Sequence, residues 1–82
     1  MTPEELLRRY PRETLRWLRR RLGLSQFAFA EHIGAATETV ANWETGRARP
    51  SLRYHQRIVR RLAPHLATPE GQAWLRAFGG EG

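Results

Sequence analysis

The side chains that most often carry out catalysis are sparse in this chain. It has three histidines, His32, His55 and His65, and no cysteine. The histidines lack any mutual spacing that would gather metal ligands, and no thiolate completes a set, so they read as surface or helix-capping residues; no metal is expected. Glu4 and Glu5 sit where helix starts favour acids, and neither a nucleophile elbow, a phosphate-cradling glycine loop nor an acid/base pair is present. No enzyme activity and no cofactor are expected. The chemistry left is hydrogen bonding and charge. In "GAATETVANWETGR", Gly34 to Arg47, a helical wheel at about 100° per residue points Val40 and Trp43 one way, with Thr39 beside them. Thr37, Glu38, Ala41 and Asn42 point the other way. That outer face carries hydrogen-bonding groups around a small alanine and no long aliphatic chain. It fits either an ordinary solvated surface or a helix slim enough for its polar tips to reach base edges in the DNA major groove.

Charge favours a polyanionic partner. Fourteen arginines and eight glutamates, with neither lysine nor aspartate, give a formal net charge of +6. The excess is uneven: Arg47 to Arg61 holds six arginines and no acid, whereas Met1 to Gly46 holds seven arginines against six glutamates. The run therefore follows directly on the polar helix. A chain of 82 residues has room for one modest core and not for a cofactor cleft walled by two subdomains. We expect one domain over residues 1–82, with its core at 12–65 and added helices at 3–10 and 69–78. Without cysteine its stability must rest on packing. No apolar run approaches the roughly 18 residues of a membrane span, and "MTPEELLRRY" is amphipathic and acidic near its start rather than signal-like, so no membrane partner and a cytoplasmic location are expected.

These groups must be positioned by short helices, because prolines and glycines punctuate the chain and no alternating β-branched run suggests a strand. Thr2-Pro3-Glu4-Glu5 combines a capping hydroxyl, a proline at the first helical position and a glutamate three residues after the cap, starting a helix that Pro11 interrupts. A second helix runs from about Pro11 to Leu22, turning Leu15, Leu18 and Leu22 inward and stopping at Gly23. Ser25 caps a third, Gln26 to Ile33, with Phe29, Ala30 and Ile33 on one face and Gly34 at its end. The fourth is Thr37 to Glu44, with Gly34-Ala35-Ala36 connecting the pair in the manner of a helix-turn-helix. Pro50-Ser51 opens a fifth that buries Leu52, Ile58, Val59 and Leu62 and is bent or stopped near Pro64. Thr68-Pro69-Glu70 starts the last, through Phe78, before a frayed "GGEG" tail. The expected fold is all-α, a compact bundle of five to six short helices.

The ordered set Gly23, Ser25-Gln26, Ala30-Glu31, Gly34, Trp43-Glu44, Gly46 and Pro50-Ser51 resembles the phage-repressor/Cro type of helix-turn-helix domain, the lambda-repressor-like, xenobiotic response element family. The match covers roughly Leu15 to Leu62. The resemblance implies a sequence-specific double-stranded DNA-binding protein, a transcriptional regulator, repressor or activator. It implies base reading by Thr37, Glu38 and Asn42, with Ala41 close enough to touch a thymine methyl. Asn42 suits adenine and Glu38 a cytosine amino group, each worth about 1–3 kcal/mol of discrimination; near phosphate, however, Glu38 is repelled. Gln26 matches a glutamine that hydrogen-bonds a backbone phosphate and braces the recognition helix, with Ser25 and the free amides beside it favouring the same anion. Arg47 and Arg49 match positions along the phosphate backbone, and Arg53 joins them from the next helix; such arginines supply affinity without sequence information. Arg19 and Glu44 match a partly buried salt bridge that fixes the angle of the reading helix.

The sequence also departs from that pattern. Ala36 stands where a serine or threonine usually caps the recognition helix, so the cap is absent or moves to a neighbour. Phe27 and Ala28 replace polar residues; we expect Phe27 to pack on the N-terminal helix or on Trp17, the alternative being a protein-partner surface. Trp74, Leu75 and Phe78 lie beyond the usual domain and either close the bottom of the core or form a homodimer contact suited to half-sites about 34 Å apart. A second functional reading keeps the fold as a non-catalytic adaptor, antitoxin-like or a cofactor of the transcription machinery. RNA is the weaker partner because stacking aromatics are not gathered with the basic residues.

Overall fold

The computed structural model describes residues 1–79, so the "GGEG" tail lies outside the described residues apart from Gly79. Among these residues are six helices and no strand: α1 (Pro3–Arg9), α2 (Pro11–Arg21), α3 (Gln26–Ile33), α4 (Thr37–Thr45), α5 (Leu52–Leu66) and α6 (Pro69–Gly79). Their starts follow local hydrogen-bonding chemistry. Thr2 Oγ1 accepts from the Glu5 amide at 3.1 Å, Ser25 Oγ from the Ala28 amide at 3.1 Å, and Thr68 Oγ1 from the Gly71 amide at 3.0 Å. Each pairs an amide that the helix itself leaves free. Pro3 and Pro11 occupy first helical positions, where a missing N–H removes no helical bond.

One hydrophobic core joins the first five helices. Leu6 and Leu7 of α1, Leu15 and Leu18 of α2, Phe29 of α3, Val40 and Trp43 of α4, and Ile58 and Leu62 of α5 are almost fully buried. Each large apolar side chain so buried contributes about 1.5–3 kcal/mol. α4 packs on both α2 and α3, α1 packs on α5, and α6 packs on α5. α4 is thus backed on two sides by the bundle, which leaves its remaining face outward.

α6 closes the base through aromatic contacts. Trp74 stacks on Trp17 with ring centroids 4.7 Å apart and on Phe78 at 5.2 Å, and Phe78 meets the Tyr10 ring edge-on at 4.9 Å. Such pairs add to plain area burial. At the α5–α6 corner a Cβ on buried Gly71 would stand 2.7 Å from Leu66 Cα. Only glycine lets the two backbones approach this closely.

Several expectations from the sequence are corrected. Leu52 is 71% exposed; as the first residue of α5 it precedes the turn that reaches the core. Phe27 is 59% exposed and is not among the side chains packed against the core, where it was expected to lie on α1 or Trp17. It lies about 200° around α3 from Phe29, which fixes the inward face, and the Trp17 ring is already covered by Trp74. Pro64 neither stops α5 nor stands at its end, since the helix continues to Leu66 with the Ala67 amide bonded to the Ala63 carbonyl at 3.2 Å. The exposed ring removes a single late hydrogen bond there. Leu22 and Val59 pack against the core half-buried rather than within it. Among the described residues no helix is long and apolar enough to cross a membrane.

Candidate nucleic-acid interface

The geometry begins at the turn between α3 and α4. Gly34, at φ +78°, ends α3 in the left-handed region, where a side chain is strained. The carbonyls at this end are not left to solvent. Arg61 Nη2 donates to His32 O at 3.2 Å, Arg57 Nη1 to Ile33 O at 3.0 Å, and the Tyr54 hydroxyl to Gly34 O at 3.4 Å. Residues 54, 57 and 61 share one face of α5, and cations at a helix C-terminus also oppose its dipole. α5 therefore holds the turn from which α4 departs. Tyr54 reaches α4 directly as well, with its ring 5.4 Å from that of Trp43.

The far end of α4 is held by charge. Glu44, only 3% exposed, accepts from Arg19 twice, Nε to Oε2 at 2.7 Å and Nη2 to Oε1 at 3.0 Å. Gln26 Nε2 donates to the same Oε1 at 3.1 Å. Arg16 Nη2 donates to the Glu44 backbone carbonyl at 2.8 Å, and Arg19 Nη1 to Leu24 O at 3.1 Å. One carboxylate thus ties α4 to α2 and to the start of α3. Burial pushes its pKa up, but the hydrogen bonds from Arg19 and Gln26 and the charges of Arg19 and Arg16 outweigh that, and the net value lies below the ordinary 4.5. The Arg19 guanidinium is correspondingly raised, chiefly by its hydrogen bond to Glu44.

Between these anchors α4 presents its outer face. Thr37 and Glu38 are exposed and Ala41 and Asn42 half-buried. Asn42 borders a shallow cavity with Thr39, Ala48, Arg49 and Tyr54. Asn42's backbone carbonyl is fully engaged, accepting from the Arg47 and Ala48 amides at 2.9 and 3.2 Å and from Thr45 Oγ1 at 3.3 Å. None of the side chains of Thr37, Glu38 and Asn42 has a hydrogen-bond partner among the described residues. Ala36 takes the N-cap conformation of α4, φ −78° and ψ 150°, without a side-chain cap; no neighbour supplies the missing oxygen.

The flanking groups divide. Ser25 caps α3 through Ala28, and Gln26 lies half-buried with its amide turned to Glu44. Arg47 is exposed in the loop after Gly46, itself left-handed at φ +83°. Arg49 turns back to donate to Arg8 O of α1 at 2.7 Å. Arg53 stands at the start of α5 with its guanidinium carbon 5.9 Å from the Tyr54 ring centroid. Within the acid-free run from Arg47 to Arg61, Arg49, Arg57 and Arg61 each hold a backbone carbonyl while keeping their charge. Sequence reasoning passed over Arg16, Tyr54, Arg57 and Arg61. The helical spacing of the last three was the available signal, but their acceptors are backbone carbonyls that no residue type marks.

Trp74, Leu75 and Phe78 pack against the core as half-buried side chains. Among the described residues no three His, Cys, Asp or Glu side chains come together as metal ligands. No curated protein and no solved structure matches the chain. A family model described as a helix-turn-helix domain does, over residues 12–75, a span that takes in the α3–turn–α4 unit, the Glu44 clamp and the arginine-bearing end of α5. With that match over most of its length, the chain belongs to the Cro/C1-type helix-turn-helix domain family, whose members bind DNA and are typically non-catalytic.

Proposed function

We propose that this protein is a sequence-specific double-stranded DNA-binding transcriptional regulator that lays α4 in the major groove and acts as a dimer on paired half-sites. One observation carries the reading. α4 is fixed at both ends, by α5 at the turn and by Glu44 at its far end, while the side chains of Thr37, Glu38 and Asn42 between those anchors, with Ala41 beside them, have no hydrogen-bond partner among the described residues. A base-reading helix needs this combination of rigid seating and free polar tips. Asn42 reads adenine, Glu38 accepts from cytosine, and Ala41 touches a thymine methyl. Ser25, Gln26, Arg47, Arg49 and Arg53 lie toward phosphates; Arg49 keeps further N–H donors after its bond to Arg8. The dimer contact uses the surface that Trp74, Leu75 and Phe78 leave accessible.

Two substitutions separate the roles. Asn42→Ala relaxes preference at one base position, whereas Arg47→Ala weakens specific and random duplexes alike and lowers the salt dependence of binding. Equal loss on both duplexes from both variants would sink the base-reading assignment. A second reading, the adaptor that binds a protein, is favoured by the exposure of Phe27. It wins if no duplex is enriched from a random pool while Phe27→Ser abolishes a defined protein complex.

A further inference from the structure

A cleft of about 330 Å³ opens where the α1–α2 junction meets the loop between α4 and α5. Its lining holds Arg9, Arg12 and Arg49 against the single acid Glu13, with Gly46 and Ala48 beside them. Arg12 lies across Gly46: a Cβ there would stand 2.9 Å from Arg12 Cδ. Among the described residues the Arg12 guanidinium has no hydrogen bond or ion pair. Arg9 has only an exposed pair with Glu5 at 3.5 Å, the weak kind that exchanges readily. Arg49, by donating to Arg8 O, pins the loop to α1 and holds the cleft's two walls together.

We propose that this cleft is a phosphate site that extends the DNA interface beyond the helix pair, with Arg12 as its main contact and Arg9 as its second. The proposal rests on the major-groove docking of α4 described above. Gly46 directly follows α4, so a loop that runs from the groove onto the strand wall carries Arg12 with it. Consecutive phosphates of one strand advance about 3.4 Å along the axis, so a strand that meets Arg47 presents its next phosphates to residues beside Gly46. The chemistry recognised is a phosphodiester anion, and its source is the DNA backbone rather than free phosphate. The helix α1 then serves binding as well as packing, by placing Arg9 and by receiving Arg49.

The test is the salt dependence of binding to a random-sequence duplex, measured for the full chain and for Arg12→Gln, Arg12→Lys, Arg9→Gln and Arg47→Gln. Each lost phosphate contact lowers the slope of log K against log salt by about 0.9, so the affinity ratio between 50 and 200 mM salt shrinks by about 3.5-fold. Arg12→Gln is expected to show that loss, Arg12→Lys to retain the wild-type slope, and all variants to melt with the wild type. If Arg12→Gln melts lower, Arg9→Gln, whose side chain is mostly in solvent, reads the same slope. An unchanged slope in both glutamine variants, with Arg47→Gln reduced, overturns the cleft and leaves the docking of α4 standing. Absence of any duplex binding by the wild type removes the docking itself, and the cleft with it. A third outcome also overturns the assignment to DNA: inorganic phosphate, titrated at fixed ionic strength, saturably shifting the Arg12 and Gly46 amide resonances while a duplex shifts neither and Arg12→Gln leaves the salt slope unchanged.

Discussion

Removing the Glu44 carboxylate tests the framework that seats α4. In Glu44→Ala the Arg19 guanidinium loses both bonds at 2.7 and 3.0 Å, and the Gln26 amide loses its acceptor at 3.1 Å. Breaking a buried pair by deleting one partner costs about 3–5 kcal/mol, because the other charge is stranded. Here Arg19 keeps its bond to Leu24 O at 3.1 Å and 17% of its side chain reaches solvent, which places the loss near the lower end, about 3 kcal/mol. A domain of this length has a total stability of roughly 4–12 kcal/mol, so the variant folds but marginally. At about 4–8 °C per kcal/mol the melting temperature falls by roughly 12–24 °C. Urea unfolding followed by far-ultraviolet circular dichroism measures the change, with the denaturant slope as a check on two-state behaviour. The paired replacement Arg19→Met with Glu44→Leu recovers most of the loss, since it leaves no buried charge unpartnered. A loss below about 1 kcal/mol, the range of exposed ion pairs, would refute the reasoning, as would additive effects of Arg19→Ala and Glu44→Ala in a double-mutant cycle.

Three further outcomes follow from named contacts. Because the Glu44 carboxyl lies below its ordinary 4.5 in the fold, its stabilisation is complete above that value and is lost as pH falls through the lower folded one; melting temperatures across pH 2–7 show this acid loss in the wild type and a flatter profile in Glu44→Gln. Ala36→Ser supplies an oxygen to an N-cap already at φ −78° and ψ 150° and raises stability by about 1 kcal/mol in urea unfolding. Gly71→Ala drives a Cβ into the Leu66 backbone, 2.7 Å from its Cα, and costs about 1–3 kcal/mol by overpacking; since α6 must shift, the tryptophan fluorescence of the Trp17–Trp74 stack changes with it.

How much of this was legible in the sequence depended on whether a signal was local. Capping hydroxyls and first-position prolines gave the starts of α1, α3 and α6, because the chemistry that starts a helix lies within four residues. The inward faces of α2, α3 and α4 followed from helical spacing. Leu52 was misread because an apolar residue in a helix's first turn precedes the packed face, and Phe27 because its expected partner Trp17 is covered by a ring 57 residues later in the chain. The arginine run was legible as charge, but the bonds that Arg49, Arg57 and Arg61 also make to backbone carbonyls were not. No pattern of residue types encodes such acceptors. They appear only once α5 lies against the end of α3.

Selection of binding duplexes from a random pool at two salt concentrations decides whether the outer face of α4 reads base sequence. One motif is expected to enrich and to persist at the higher salt, and preference at a single position of that motif is expected to be lost when the selection is repeated with Asn42→Ala. A pool that stays random at both salts, or an identical motif from Asn42→Ala together with Thr37→Ala and Glu38→Ala, would contradict base reading by α4.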